Sequence, residues 1–223
     1  MHSGHVTTLH AVRQRGAGVG ALSIIMSKSV AVFLAEGTEE MEFSITYDVL
    51  VRGGVHVQSV YVPAPGAPAA PEGGLLRGSR GIKLGADTTL ADFLAAGGVD
   101  KYDALVVPGG NAGAQTISQD KAVQAQLQKA FGDHKLVATV CAGSLAPLEA
   151  GIAKSQPITS HPSVKDKLAG TYAYEEKPVV VAGNLISSRG PGTSFSFALA
   201  ILEHLRGAEV RQQVAGPMML ERL

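Results

Sequence analysis

One cysteine, one glutamate and one histidine carry most of the chemistry this sequence offers. Cys141 is the only cysteine in the chain. It follows the apolar run Leu136–Val140 and precedes the small pair Ala142-Gly143. A strand, a reactive-type residue and then small residues opening a helix make the layout of a nucleophile elbow, in which a sharp turn lifts the side chain out of a sheet. The serine signature G-x-S-x-G is not present; only its layout is. A thiol at a helix N-terminus feels the positive end of the dipole, which favours thiolate. Backbone N–H groups at the same place could hold an oxyanion. A free cysteine is also often a small buried hydrophobe, and the local pattern leaves the two roles evenly open.

Glu42 raises a different question. The stretch from Thr38 to about Arg52 has helical spacing, and Glu42 shares its face with Ile45, Thr46 and Val49. That face points inward, so a carboxyl there must be neutral or hydrogen-bonded to something specific. Beside a thiolate it would form a proton-sharing pair suited to general acid–base work; alternatively it lies at the stripe's edge and reaches solvent. Glu36, Glu39 and Glu40 read as exposed first-turn acids complementing the helix dipole. His161 stands directly before Pro162, which holds it extended. It could orient or protonate a neighbour, although a lone histidine is more often structural. Gly109-Gly110-Asn111 could present N–H groups to an oxyanion but lacks the dinucleotide and Walker fingerprints. Arg189–Thr193 (RGPGT) reads either as an anion cradle or as a plain turn with a helix cap.

The elements that must position these residues alternate. Ser29–Ala35, Val55–Val62, 103–107 and Leu136–Val140 read as strands. Helices are expected over Thr38–Arg52, Asp120–Phe131, Ala142–Ala150 and Thr193–Leu205, the last capped by Thr193 or Ser194. Ile158–Ser160 reads as a short strand, Pro162–Leu168 as a short helix, and 178–182 with 185–187 as a hairpin around Gly183-Asn184. The segment 63–74 has four prolines and three glycines and reads as a surface loop. Strands alternating with helices predict βαβ units, a mostly parallel sheet, and a site at the carboxyl ends of its strands.

Composition narrows the classes. The chain has 223 residues, 45% hydrophobic and 17% charged, enough for one sizeable domain. Lys plus Arg balances Asp plus Glu at 19 each, which disfavours an electrostatic nucleic-acid binder. No apolar run approaches a membrane span. The histidines show no metal-binding spacing, and a single cysteine argues against a Cys-based metal site and fits a reducing compartment. Residues 1–27 hold Arg13 and Arg15 but no acid, the pattern of a transit peptide or a disordered tail, so 28–223 is the expected domain.

Five stretches point further when read in order: AEGTEEMEF (35–43), VVPGGNAGAQ (106–115), VCAGSLAPLEAG (140–151), ITSHPSVKDKL (158–168) and SSRGPGTSFSFALAILE (187–203). Together they resemble the Parkinsonism-associated deglycase or glyoxalase III family of the ThiJ/PfpI superfamily, over about residues 28–220. The resemblance implies a flavodoxin-like α/β sandwich, mostly parallel, with helices on both faces. It implies a cofactor-free glyoxalase III of the D-lactate dehydratase type, or a deglycase of proteins or nucleotides, acting on small dicarbonyls as a homodimer without metal. Cys141 matches the nucleophile, Glu42 the buried acid bonded to it, and His161 the motif histidine near it. Gly110 and Ala142 match the oxyanion-binding N–H pair; Arg52 and Arg80 match positions at the dimer interface and site mouth. Cytoplasmic residence is expected, with mitochondrial targeting by residues 1–27 as a variant. A rival reading is a redox sensor or chaperone acting through oxidation of Cys141. The superfamily's protease branch places histidine directly after the cysteine, where this chain has Ala142.

Overall fold

The computed structural model describes residues 28–220; the predicted extension 1–27 lies outside them. The first half runs β1 (Ser29–Leu34), α1 (Glu40–Arg52), β2 (His56–Tyr61), β3 (Leu75–Arg77), β4 (Lys83–Gly85), β5 (Thr88–Thr89), α2 (Leu90–Ala95), β6 (Ala104–Val107), α3 (Asn111–Gln119) and α4 (Lys121–Gly132). The second runs β7 (Leu136–Val140), α5 (Leu145–Ala150), β8 (Pro157–Ile158), α6 (Lys165–Leu168), β9 (Ala173–Tyr174), β10 (Val179–Ala182), β11 (Leu185–Ser188), α7 (Ser194–Arg206) and α8 (Ala208–Ala215).

The main sheet has the order β10-β11-β7-β6-β1-β2-β5. Every neighbouring pair is parallel except β10 with β11, the expected hairpin. Alternate side chains of β1 feed two cores. Ala31 and Phe33 pack with Ile117 of α3, Leu127 of α4 and Leu168 of α6. Val30, Val32 and Leu34 pack on the other face with Val49 of α1 and Phe197 and Ile201 of α7. A sheet buried on both sides explains why its strands read as continuous apolar runs. The architecture is the predicted flavodoxin-like sandwich.

Several elements differ from expectation. Helix α1 begins at Glu40, not Thr38, because the Glu39 carboxylate caps it by accepting from Glu42 N at 2.8 Å. The thiol does not open an α-helix: Cys141–Ser144 is a 3-10 turn, and α5 starts only at Leu145. Thr193 precedes α7, but its hydroxyl reaches back to Gly190 rather than forward into the helix. The β3–β4 hairpin, α2, α3 and α8 had no sequence counterpart.

Candidate active site

The carboxyl ends of β1, β6 and β7 converge on one cavity of about 640 Å³. Its lining includes Glu36, Glu39, Arg77, Arg80, Gly110, Asn111, Cys141, His161 and Pro191. Cys141 sits half-buried at the end of β7 with φ +60°, a left-handed conformation that costs an L-residue of ordinary type about 1 kcal/mol. The bend is fixed from below. Ser144 Oγ lies 3.1 Å from Thr139 Oγ1 and donates to Thr159 O at 3.0 Å, and Ser187 Oγ accepts from Thr159 N at 2.9 Å. This buried chain ties the 3-10 turn to β7, β11 and the segment leading to His161.

Glu42 is fully buried. Its Oε2 accepts from Gly109 N at 2.6 Å, and the same carboxyl lies close enough to the Cys141 thiol that each shifts the other's titration. Oε1 has no partner among the described residues. Burial pushes Glu42 up to about 7, against the opposing pull of the Gly109 N–H and of Cys141. Burial, and then the negative charge of Glu42, push the thiol up to about 12, while the N–H groups of Ala142 and Gly110 pull it down. Each ionisation makes the other costlier, so the two groups act as one titrating pair. Moving the proton from sulfur to Glu42 leaves a thiolate facing two N–H donors and a neutral acid.

The glycines are steric requirements here. A Cβ on Gly109 would lie 2.6 Å from both Cys141 Cβ and Glu42 Oε2. Gly110 has φ +84°, and its Cβ would lie 2.1 Å from Gly37 O. Only glycine lets the β6–α3 turn pass between the thiol and α1.

His161 is exposed at the cavity edge. Its backbone N–H donates to Cys141 O at 3.4 Å. Its Nδ1 accepts from Ser163 N at 3.2 Å and lies 2.8 Å from Ser163 Oγ. The neutral ring therefore carries its proton on Nε2.

A scan against protein families matches the description "DJ-1/PfpI family" over residues 28–204. The chain belongs to the DJ-1/PfpI family. It is 43% identical over 196 residues to the Parkinson disease protein 7 homolog of Danio rerio, covering 87% of this chain and 98% of the relative. It is 37% identical over 180 residues to the glutathione-independent glyoxalase DJ-1 of Schizosaccharomyces pombe, covering 79% and 90% respectively. The crystal structure of Drosophila melanogaster DJ-1beta matches with TM-score 0.78 at 38% identity, covering 87% of this chain and 99% of that one.

Within this DJ-1/PfpI fold, Cys141, Glu42, Gly110 and Ala142 come together as the sequence suggested, with His161 on the same cavity. Arg80 also lines it. Arg52 does not: it ends α1 with Nε 2.6 Å from Asp48. The Arg189–Thr193 turn closes on itself rather than forming a cradle, because Thr193 Oγ1 accepts from Arg189 N and Gly190 N.

Two acids differ from expectation. Glu39 and Glu40 are buried, not solvated. Glu40 holds the turn between β3 and β4, accepting from Ser79 Oγ at 2.9 Å, Arg80 N at 2.6 Å and Ile82 N at 3.3 Å. Burial acts to raise its pKa, but these hydrogen bonds, led by Arg80 N–H, leave it below its ordinary value. Arg77 also lines the cavity, although nothing local in the sequence marks it as a site residue.

Proposed function

We propose that the protein is a cofactor-independent glyoxalase, converting methylglyoxal to lactate and glyoxal to glycolate. The observation that carries this reading is a fully buried Glu42 whose carboxyl meets the only cysteine at the Gly109 turn, where one added Cβ would lie 2.6 Å from both side chains. The relative named a glutathione-independent glyoxalase supports it. Cys141 sulfur bonds to the aldehyde carbon, and the carbonyl oxygen becomes an oxyanion facing the Gly110 and Ala142 N–H groups before taking the proton held by Glu42. Glu42 then removes the proton from the former aldehyde carbon and returns it to the neighbouring carbon through an enediol. The product is a thioester. Water cleaves it, giving the hydroxy acid and regenerating the thiol, so one dicarbonyl and one water balance one hydroxy acid. His161 Nε2–H donates to a substrate oxygen. Acting on a glycated amine or thiol at the aminocarbinol or hemithioacetal stage, the same steps amount to deglycation.

The decisive experiment is lactate formation from methylglyoxal by the wild type and by Cys141→Ser. Loss of turnover in the variant is expected; wild-type rates from it would overturn the reading. A homodimer belongs to the same proposal; the exposed apolar side chains of Met41, Val51 and Ile82 (51%, 48% and 59%) are surface that a second copy would cover. Light scattering of the purified protein tests it.

The half-exposed thiol beside two N–H donors favours a second reading, oxidation of Cys141 to a sulfinate. Mild peroxide that adds two oxygens to Cys141 in a protein forming no lactate would favour it.

A further inference from the structure

The cavity holds two cations that the proposed reaction on methylglyoxal does not use. Arg77 and Arg80 both line it, Arg77 ending β3 and Arg80 lying in the turn to β4. Among the described residues neither guanidinium is ion-paired with a carboxylate. Arg80 Nη1 donates only to the neighbouring Ser79 O, at 3.2 Å. The Arg77 side chain lies over Gly81, where a Cβ would sit 3.4 Å from Nη2. Two acids share the wall and bond backbone rather than the guanidiniums: Glu36 Oε2 accepts from Arg77 N at 2.9 Å, and Glu39 Oε2 caps α1.

The backbone carrying both arginines is held from several sides. Glu40 grips Ser79, Arg80 and Ile82. Gly37 N donates to Arg77 O at 2.8 Å, and Ser79 N donates to Thr38 O at 2.8 Å. The loop is thus tied to the start of α1, which also carries Glu42. Guanidinium groups without carboxylate partners, lining the same cavity as the thiol on a tethered backbone, form a receptor for a planar anion, since the guanidinium fork matches a carboxylate.

We propose that Arg77 and Arg80 form a specificity site for a carboxylate at the far end of the substrate, so that the protein's preferred dicarbonyls are α-oxoaldehydes bearing an acid group. The proposal rests on the glyoxalase reading for the reaction and on the cavity alone for the binding.

Two experiments separate those foundations. In the first, turnover of 4,5-dioxopentanoate, which with one water gives 2-hydroxyglutarate, is compared with turnover of its methyl ester, which has the same dicarbonyl but no charge. The ratio of kcat/KM for acid over ester should be well above one in the wild type. It should drop about tenfold in Arg77→Gln and in Arg80→Gln, the loss expected for one charged hydrogen bond. The second needs no catalysis. Cys141 is the only thiol, so intact-mass measurement reads its alkylation rate by iodoacetate and by the neutral, similarly sized iodoacetamide. The iodoacetate-to-iodoacetamide ratio should fall in both variants and with added salt. Ratios that both variants leave unchanged in the two experiments would overturn the proposal. Failure of wild type to turn over any dicarbonyl, with the alkylation ratio still arginine-dependent, would instead sink the glyoxalase reading and leave the anion site standing.

Discussion

Replacing Glu42 by glutamine should change how stability depends on pH, and by a definite amount. The buried carboxyl titrates near 7 in the folded protein against an ordinary value of 4.5. A raised folded pKa means its stabilising contribution is complete below about 4.5 and is lost as pH rises through about 7. In that window the unfolded chain releases the proton while the folded chain keeps it. The shift corresponds to about 3 kcal/mol. Glutamine has nearly the same shape, cannot ionise, and keeps an acceptor for Gly109 N. The difference in unfolding free energy, Glu42→Gln minus wild type, should therefore rise by about 3 kcal/mol from about pH 4.5 to about pH 7.5 and then level off. Subtracting the two proteins cancels every titration they share. Urea unfolding followed by circular dichroism at several pH values measures it, and no tryptophan signal is needed in a chain that has none. A flat difference curve would mean that Glu42 ionises as an ordinary surface acid, and the shared-proton account of the thiol would fail with it.

Other substitutions test neighbouring parts of the site. Gly109→Ala must displace Cys141 or Glu42, since its Cβ would lie 2.6 Å from each; we expect a stability loss of about 2 kcal/mol and a fall in lactate production of about a hundredfold. Glu40→Ala strips three donors of their acceptor and should lower stability by about 2 kcal/mol, with faster hydrogen exchange at Arg80 and Ile82. Because Glu40 titrates below its ordinary value, its contribution should be present at neutral pH and vanish on acidification. His161→Ala should lower kcat about a hundredfold while leaving urea unfolding nearly unchanged, because the ring is exposed and bonds only Ser163.

The parts of this fold legible in the sequence are those encoded by local repetition. Runs such as Val30–Leu34 and Leu136–Val140 announce strands buried on both faces, and Glu42 stands out because its helical neighbours Thr46 and Val49 are buried. Helix α3 escaped because Asn111–Gln119 is short and rich in small and polar residues, with no clear apolar stripe beyond Ala114 and Ile117. Glu40 looks like a dipole-compensating surface acid until a loop about forty residues away folds over it, and Glu39 until the β6–α3 turn meets it through Gly109 O; no local pattern encodes either contact. Arg77 was hidden for the same reason. The cysteine's conformation was half legible: the strand-then-small-residue layout predicts a sharp turn, but not that an α-helix starts only four residues later.

The left-handed backbone at Cys141 sets the residue the reaction needs against the residue the turn would choose. Glycine occupies φ +60° without the penalty that a side chain incurs there. A population of variants selected only for resistance to heat should therefore drift toward glycine at 141, while one selected for turnover should hold cysteine despite the strain. The sulfur persists at this position because of what it does, and its retention among diverging sequences would record continued selection on the chemistry rather than on the fold.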